Sequence, residues 1–112
     1  MTLLVDVANV VGSRPDGWWR DRAGATSQLL AQLATVDDDV VAVVEGRARE
    51  VPEVPGVRLV RAAGSGDDAL VAVAADLLPP LVVVTADRGL RARLPEGTTV
   101  HGPGWLLDLL DP

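Results

Sequence analysis

Short apolar segments alternating with helical stretches predict an α/β fold: three layers, α/β/α, around a central parallel sheet of about five strands. Three observations predict it. The segments are apolar throughout, as strands covered on both faces are. Helical patterns separate most of them, as parallel crossovers require. Acidic residues fall at or just after the segment ends, where open parallel sheets bind ligands.

The elements follow in order. Residues 2–6 read as a buried strand at the sheet's centre, and 18–34 as a helix with a stripe of Trp18, Trp19, Ala23, Leu29, Leu30 and Leu33. The run 40–44 is continuous and β-branched, and 57–60 is a third strand. Between them Gly46 to Gly56 carries two prolines and little helical pattern, so a stunted crossover is expected. Residues 67–78 read as a helix, 81–84 as the most strand-like stretch, and 87–94 as a short helix. A strand near 98–101 precedes a last helix from Pro103 to Leu110, proline being suited to a first helical turn. Asp37-Asp38-Asp39 reads as a solvated turn, and the Gly12–Gly17 loop, rich in turn residues, as a mobile one.

At 112 residues a single domain, 1–112, is expected, with 48% hydrophobic residues to fill its core. No apolar run approaches the roughly 18 residues of a membrane span, and the N-terminus lacks the basic flank of a signal peptide. Without cysteine there are no disulfides or thiolate metal sites, so a cytoplasmic, soluble protein is expected. All ten basic residues are arginine, which removes P-loop and Schiff-base chemistry. The single histidine, His101, excludes paired-histidine metal motifs; near the end of the fifth strand, it reads as structural. A net charge of −6 argues against nucleic-acid binding by bulk electrostatics. Twelve Asp and four Glu remain to do chemistry.

Five of those residues, at four strand ends, stand out. Asp6 ends the first strand, Glu45 the second, Asp67 and Asp68 follow the third, and Asp87 follows the fourth. Asp67, Asp68 and Asp87 also suit helix N-termini, and Glu45 a solvated strand end. Asp6 is harder to explain structurally, because it is flanked by apolar residues. Carboxylates gathered at one edge repel and raise one another's pKa, and a divalent ion turns that liability into a site. Oxygen-only ligation selects Mg²⁺ or Mn²⁺. Asp6, Asp87 and one of Asp67 or Asp68 are expected to bring oxygens within roughly 6 Å of each other.

The segments VDVANVVG, VVEG, GDDALV and VTADR, in this order and spacing, resemble the PIN-like nucleases, the NYN-domain branch most closely. The similarity spans about residues 3–91. It implies strand order 3-2-1-4-5 and an acidic divalent-metal site that hydrolyses RNA, single-stranded or small and structured. In that reading Asp6 is the first metal-binding acid and Asn9 orients the site. Glu45, Asp67 or Asp68, and Asp87 are the other acids, and Thr85 supplies a hydroxyl near the metal. Gly89 stands where many relatives carry a further acid, and Val7-Ala8 follow Asp6 where a glycine is expected. These departures keep open the alternative of a non-catalytic module that binds a protein partner. A nucleotide-pyrophosphate hydrolase is a third reading, for which no dedicated signature is present.

Ser13 and Arg14 in the first loop, Arg47 and Arg49 after Glu45, and Arg88 beside Asp87 flank the same edge. Guanidinium forks suit phosphate oxygens, and equally suit pairing with surplus acids. One of Trp18 and Trp19 is expected in the core, the other partly exposed. Gly64-Ser65-Gly66 reads as a flexible loop. The helices 69–78 and 104–110 carry more apolar surface than one face needs, which predicts a homodimer.

Overall fold

The computed structural model describes residues 1–111, apart from the side chain of Arg47. Five parallel strands, β1 (Thr2–Asp6), β2 (Asp39–Val44), β3 (Val57–Arg61), β4 (Leu81–Val84) and β5 (Thr99–His101), form one sheet in the order β3-β2-β1-β4-β5. β1 is central, paired through Val5 with Ala42 on one side and Val84 on the other.

Period-two alternation sends β1's side chains into two separate cores. Leu3 and Val5 join the core under α1 (Val7–Gly12), α2 (Arg22–Leu33) and α5 (Pro103–Leu110). Leu4 joins the core under α3 (Gly66–Asp76) and α4 (Arg88–Ala92). Helices therefore cover both faces, and the three-layer expectation holds. β3 is an edge strand, and its pattern is half-exposed rather than buried.

Several boundaries differ from the sequence reading. The helix expected over 18–34 is broken at Asp21, between a 3-10 turn (Trp18–Arg20) and α2. There Asp21 caps α2 by accepting the Gly24 amide at 2.9 Å. The unanticipated helix is α1, which follows Asp6 directly and takes in the first residue of the expected Gly12–Gly17 loop. Val7, Val10 and Val11 are its buried stripe, a 3-4 spacing masked by their β-branched identity. The stunted crossover is a 3-10 helix, Gly46–Glu50, entered through Gly46 at φ 59°, a left-handed conformation that favours glycine.

The homodimer rested on uncovered apolar faces, and the chain covers most of them itself. α3 and α5 pack on opposite sides of the sheet, which leaves Leu78 and Leu109 exposed in two different layers. Trp18 packs on the core while Trp19 is 60% exposed, the division expected for that pair. Among the described residues no helix is long and apolar enough to cross a membrane.

Candidate active site at the carboxyl edge of the sheet

The site is built where β1 and β4 end side by side. Asp6 and Thr85 each lie one residue beyond the paired Val5 and Val84. Both are buried, and the Thr85 hydroxyl donates to Asp6 Oδ2 at 3.0 Å. The same Thr85 oxygen accepts the Asp87 amide at 3.1 Å. Asn9, three residues into α1, accepts the Ala86 amide on Oδ1 at 2.9 Å, which pins the β4–α4 turn to α1. Asp87 caps α4, its Oδ1 accepting the Leu90 amide at 3.1 Å. The capping reading of Asp87 and its placement at the edge are thus both correct.

The second half of the edge lies at the end of β2. Glu45 is half-buried and accepts the Gly66 amide on Oε2 at 2.8 Å. A Cβ on Gly66 would stand 2.7 Å from the Glu45 carboxyl carbon, so glycine is required for that approach. Ser65 caps α3, its hydroxyl accepting the Asp68 amide at 3.5 Å. Gly64-Ser65-Gly66 is therefore a cap and a docking point for Glu45, not simply a flexible loop. Neither Ser65 nor Gly66 was singled out for this, although Ser-Gly-Asp-Asp before an apolar run carries the signal of a capped helix start. Asp67 and Asp68 both lie in the first turn of α3 but diverge: Asp68 pairs with Arg93 at 2.7 Å across exposed surface.

The electrostatics join the two halves. Burial pushes the Asp6 carboxyl above the ordinary carboxylate range; Thr85 and the Asn9 backbone draw it back, while the charges of Asp67 and Glu45 push it further up. Asp67 is also raised, first by burial and then by Asp87 and Glu45, with Arg93 opposing and Asp68 adding. Asp67 thus links the two halves, acting on Asp6 and acted on by Glu45 and Asp87, whereas Asp68 acts on Asp67 but is not among the causes on Asp6.

The expected convergence of three acids is not met: among the described residues no three His, Asp or Glu side chains gather closely enough to hold a metal ion. The hydrogen bonds explain the spread. Asp6, Glu45 and Asp87 each accept on one oxygen from a different partner, Thr85, Gly66 and Leu90, so each carboxylate is held at a separate point along the edge. The donor chemistry still suits a hard divalent cation, because Mg²⁺ keeps several waters and takes only one or two protein carboxylates. A cation beside Asp6 would also offset the burial that raises its carboxyl.

The flanking basic residues fare less well. Arg14 donates to Gln32 Oε1 at 2.5 Å, and the Ser13 hydroxyl donates to the Val10 carbonyl at 2.7 Å, capping the end of α1. Both side chains, nominated for substrate in the sequence, are engaged by the scaffold. Arg49 donates to the Ala62 and Ala63 carbonyls at 3.5 and 3.4 Å, and its own carbonyl accepts from Arg61. The side chain of Arg47 lies outside the described residues. Arg88 opens α4 exposed, beside Asp87. His101 stacks on Trp105 with ring centroids 4.3 Å apart and planes at 11°, in keeping with its structural reading.

Strand order and acid-lined edge define a doubly wound parallel α/β protein whose candidate site sits at the β1/β4 switch point. The fold is similar to that of Rae1 (YacP) from Bacillus subtilis: its crystal structure matches 98% of this chain and 74% of that one, with a TM-score of 0.75 and 18% identity. No protein-family model matches the chain, and no curated protein sequence does.

Proposed function

We propose that the carboxyl edge is a divalent-metal-dependent site for hydrolysing RNA phosphodiester bonds, in a single domain of the PIN-like class, NYN branch. The observation that carries this reading is Asp6, buried at the sheet's switch point and hydrogen-bonded to Thr85 just beyond β4, with the charges of Asp67 and Glu45 acting on it. Asp6 and Asp87 would hold Mg²⁺ or Mn²⁺, with Asp67 and Glu45 adding charge at the rim. Such an ion, when bound, supplies a water of lowered pKa and neutralises charge at the scissile phosphate.

The remaining residues position and bind. Thr85 fixes Asp6 through Oδ2, and the Asn9 backbone also draws on the same carboxylate. Asn9 has its carbonyl oxygen held by Ala86, which leaves its amide nitrogen to donate to a phosphate oxygen. Arg88, exposed next to Asp87, offers a guanidinium to the same group. With a net charge of −6, RNA affinity must come from such local contacts rather than from the whole surface.

The test is incubation of end-labelled single-stranded and hairpin RNAs with the protein in Mn²⁺, in Mg²⁺ and in chelator. Cleavage in metal and none in chelator is expected. No cleavage under any of these conditions overturns the reading. It leaves a non-catalytic interaction module, which the spread of the acids into no three-membered group favours.

A further inference from the structure

A cavity of about 340 Å³ opens beside Glu45, on the α1/α2 side of the sheet, near the small end of the ~300–1,000 Å³ typical of ligand pockets. Its lining includes Val11, Trp18, Arg22, Thr26, Glu45 and Ala48. Three features make it more than a gap in packing. The Trp18 indole, half-buried, presents part of an aromatic surface there, with the Arg22 guanidinium over its ring at 5.0 Å. Thr26 is a buried polar residue in the lining of an otherwise largely aliphatic wall. Glu45 belongs both to this wall and to the acid edge, and Val7 and Ala8 of the wall directly follow Asp6, so the cavity adjoins the candidate active site.

We infer that this cavity is a subsite for one nucleobase of the substrate strand, and that it favours bases bearing an exocyclic amino group. The inference rests on the nuclease reading for the strand that delivers the base. The apolar walls, the indole and the guanidinium suit a flat heteroaromatic ring, which stacks on such surfaces whatever its sequence. Selectivity comes from the rim. Glu45 is acceptor-only when ionised, and with Oε2 taking the Gly66 amide, Oε1 accepts from no other side chain among the described residues and can take an external donor. Cytosine, adenine and guanine each offer an exocyclic amino group to it; uracil's one ring donor, N3–H, lies between two carbonyl oxygens that a carboxylate repels. Arg22 supplies the complementary donor for a ring nitrogen or carbonyl of the same base.

The experiment is a metal-free NMR titration in chelator, following the Trp18 indole and the amides of Ala8, Gly46 and Ala48. The probes are AMP, CMP, GMP and UMP at millimolar concentration, with ribose 5-phosphate as the base-free control. The three amino-bearing nucleotides should shift these signals and bind about tenfold tighter than UMP, the difference expected for one hydrogen bond to a charged acceptor. Ribose 5-phosphate should leave them in place. Ala48→Leu, which fills the cavity, should weaken binding by about tenfold or more. Arg22→Ala, on exposed surface, should weaken it without touching the core. Absence of shifts, equal binding of UMP, or equal binding of the base-free sugar phosphate would overturn the inference. Asp87→Asn separates it from the nuclease reading, since it removes an acid of the site and leaves the cavity intact. Base binding by a protein that cleaves no RNA keeps the subsite and ends the nuclease reading; RNA cleavage without base binding does the reverse.

Discussion

The Glu45 carboxylate stands against Gly66, accepting its amide at 2.8 Å and occupying the space a Cβ would need. This contact ties the end of β2 to the start of α3, and so sets Asp67 at its distance from Asp6. Gly66→Ala must push Glu45 aside and lose a charge-assisted hydrogen bond, a loss of about 1.5–3 kcal/mol. Better helix propensity returns up to about 1 kcal/mol. The net expectation is destabilisation of about 1 kcal/mol, with impaired metal-dependent cleavage. Gly104→Ala in α5, where a Cβ meets nothing within 4 Å, should instead be neutral or stabilise by up to about 1 kcal/mol. Urea unfolding of both variants checks the contrast; equal effects contradict it.

Thr85 is the side chain that makes Asp6 tolerable as a buried carboxylate. Thr85→Val removes that donor and also the acceptor for the Asp87 amide. It should lower stability at neutral pH by about 1.5–3 kcal/mol. Its effect should shrink in acid, where a protonated Asp6 no longer needs the donor. Denaturant titrations at two pH values measure both quantities, and a pH-independent loss contradicts the assignment.

Asp6 has a carboxyl raised first by burial and then by Asp67 and Glu45. A raised folded-state pKa means that the native state keeps a proton the unfolded chain has already released. The stability from that proton is present at low pH and is lost as pH rises through the window from the ordinary value of 3.8 to the raised one. Asp6→Asn cannot lose it. In chelator, the Tm of the variant minus that of the parent should therefore widen as pH rises from about 4 to 7. A constant or narrowing difference contradicts the burial argument.

Asp87 serves both helix and site, and substitutions can separate the roles. Asp87→Ser retains an N-cap oxygen for the Leu90 amide and should leave stability within about 0.5 kcal/mol, while cleavage falls sharply. Asp87→Ala should lose cleavage and about 1 kcal/mol as well. Asp68→Ala breaks an exposed pair with Arg93 and should cost under about 1 kcal/mol, with cleavage intact. Cleavage that depends on Asp68 and not on Asp67 would reverse the choice made between them.

Much of this was legible from residue types in order. Apolar strands, crossover spacing and acids at strand ends are properties of the chain, so β1, β2, β4 and the edge positions of Asp6, Glu45 and Asp87 could be read directly. What escaped depends on side-chain partners. Val7, Val10 and Val11 carry helical spacing in strand-like residues, and only packing under α2 settles them as α1. Asp67 and Asp68 are adjacent and chemically identical; which one faces the site depends on the phase of α3, and Arg93, 25 residues from Asp68, pairs with the other. Ser13 and Arg14 fit a phosphate-binding loop by composition, yet Val10 and Gln32 hold them. Composition shows which groups are present, and three-dimensional pairing decides which remain available.

The central claim is that Asp6 anchors a metal-dependent hydrolytic site. The most direct measurement is the RNA cleavage rate of Asp6→Asn against the parent in saturating Mn²⁺, with circular dichroism to establish that both are folded. The account predicts a folded variant, at least as stable as the parent in chelator, that has lost most of its metal-dependent cleavage. A folded Asp6→Asn protein that cleaves RNA as fast as the parent would contradict it.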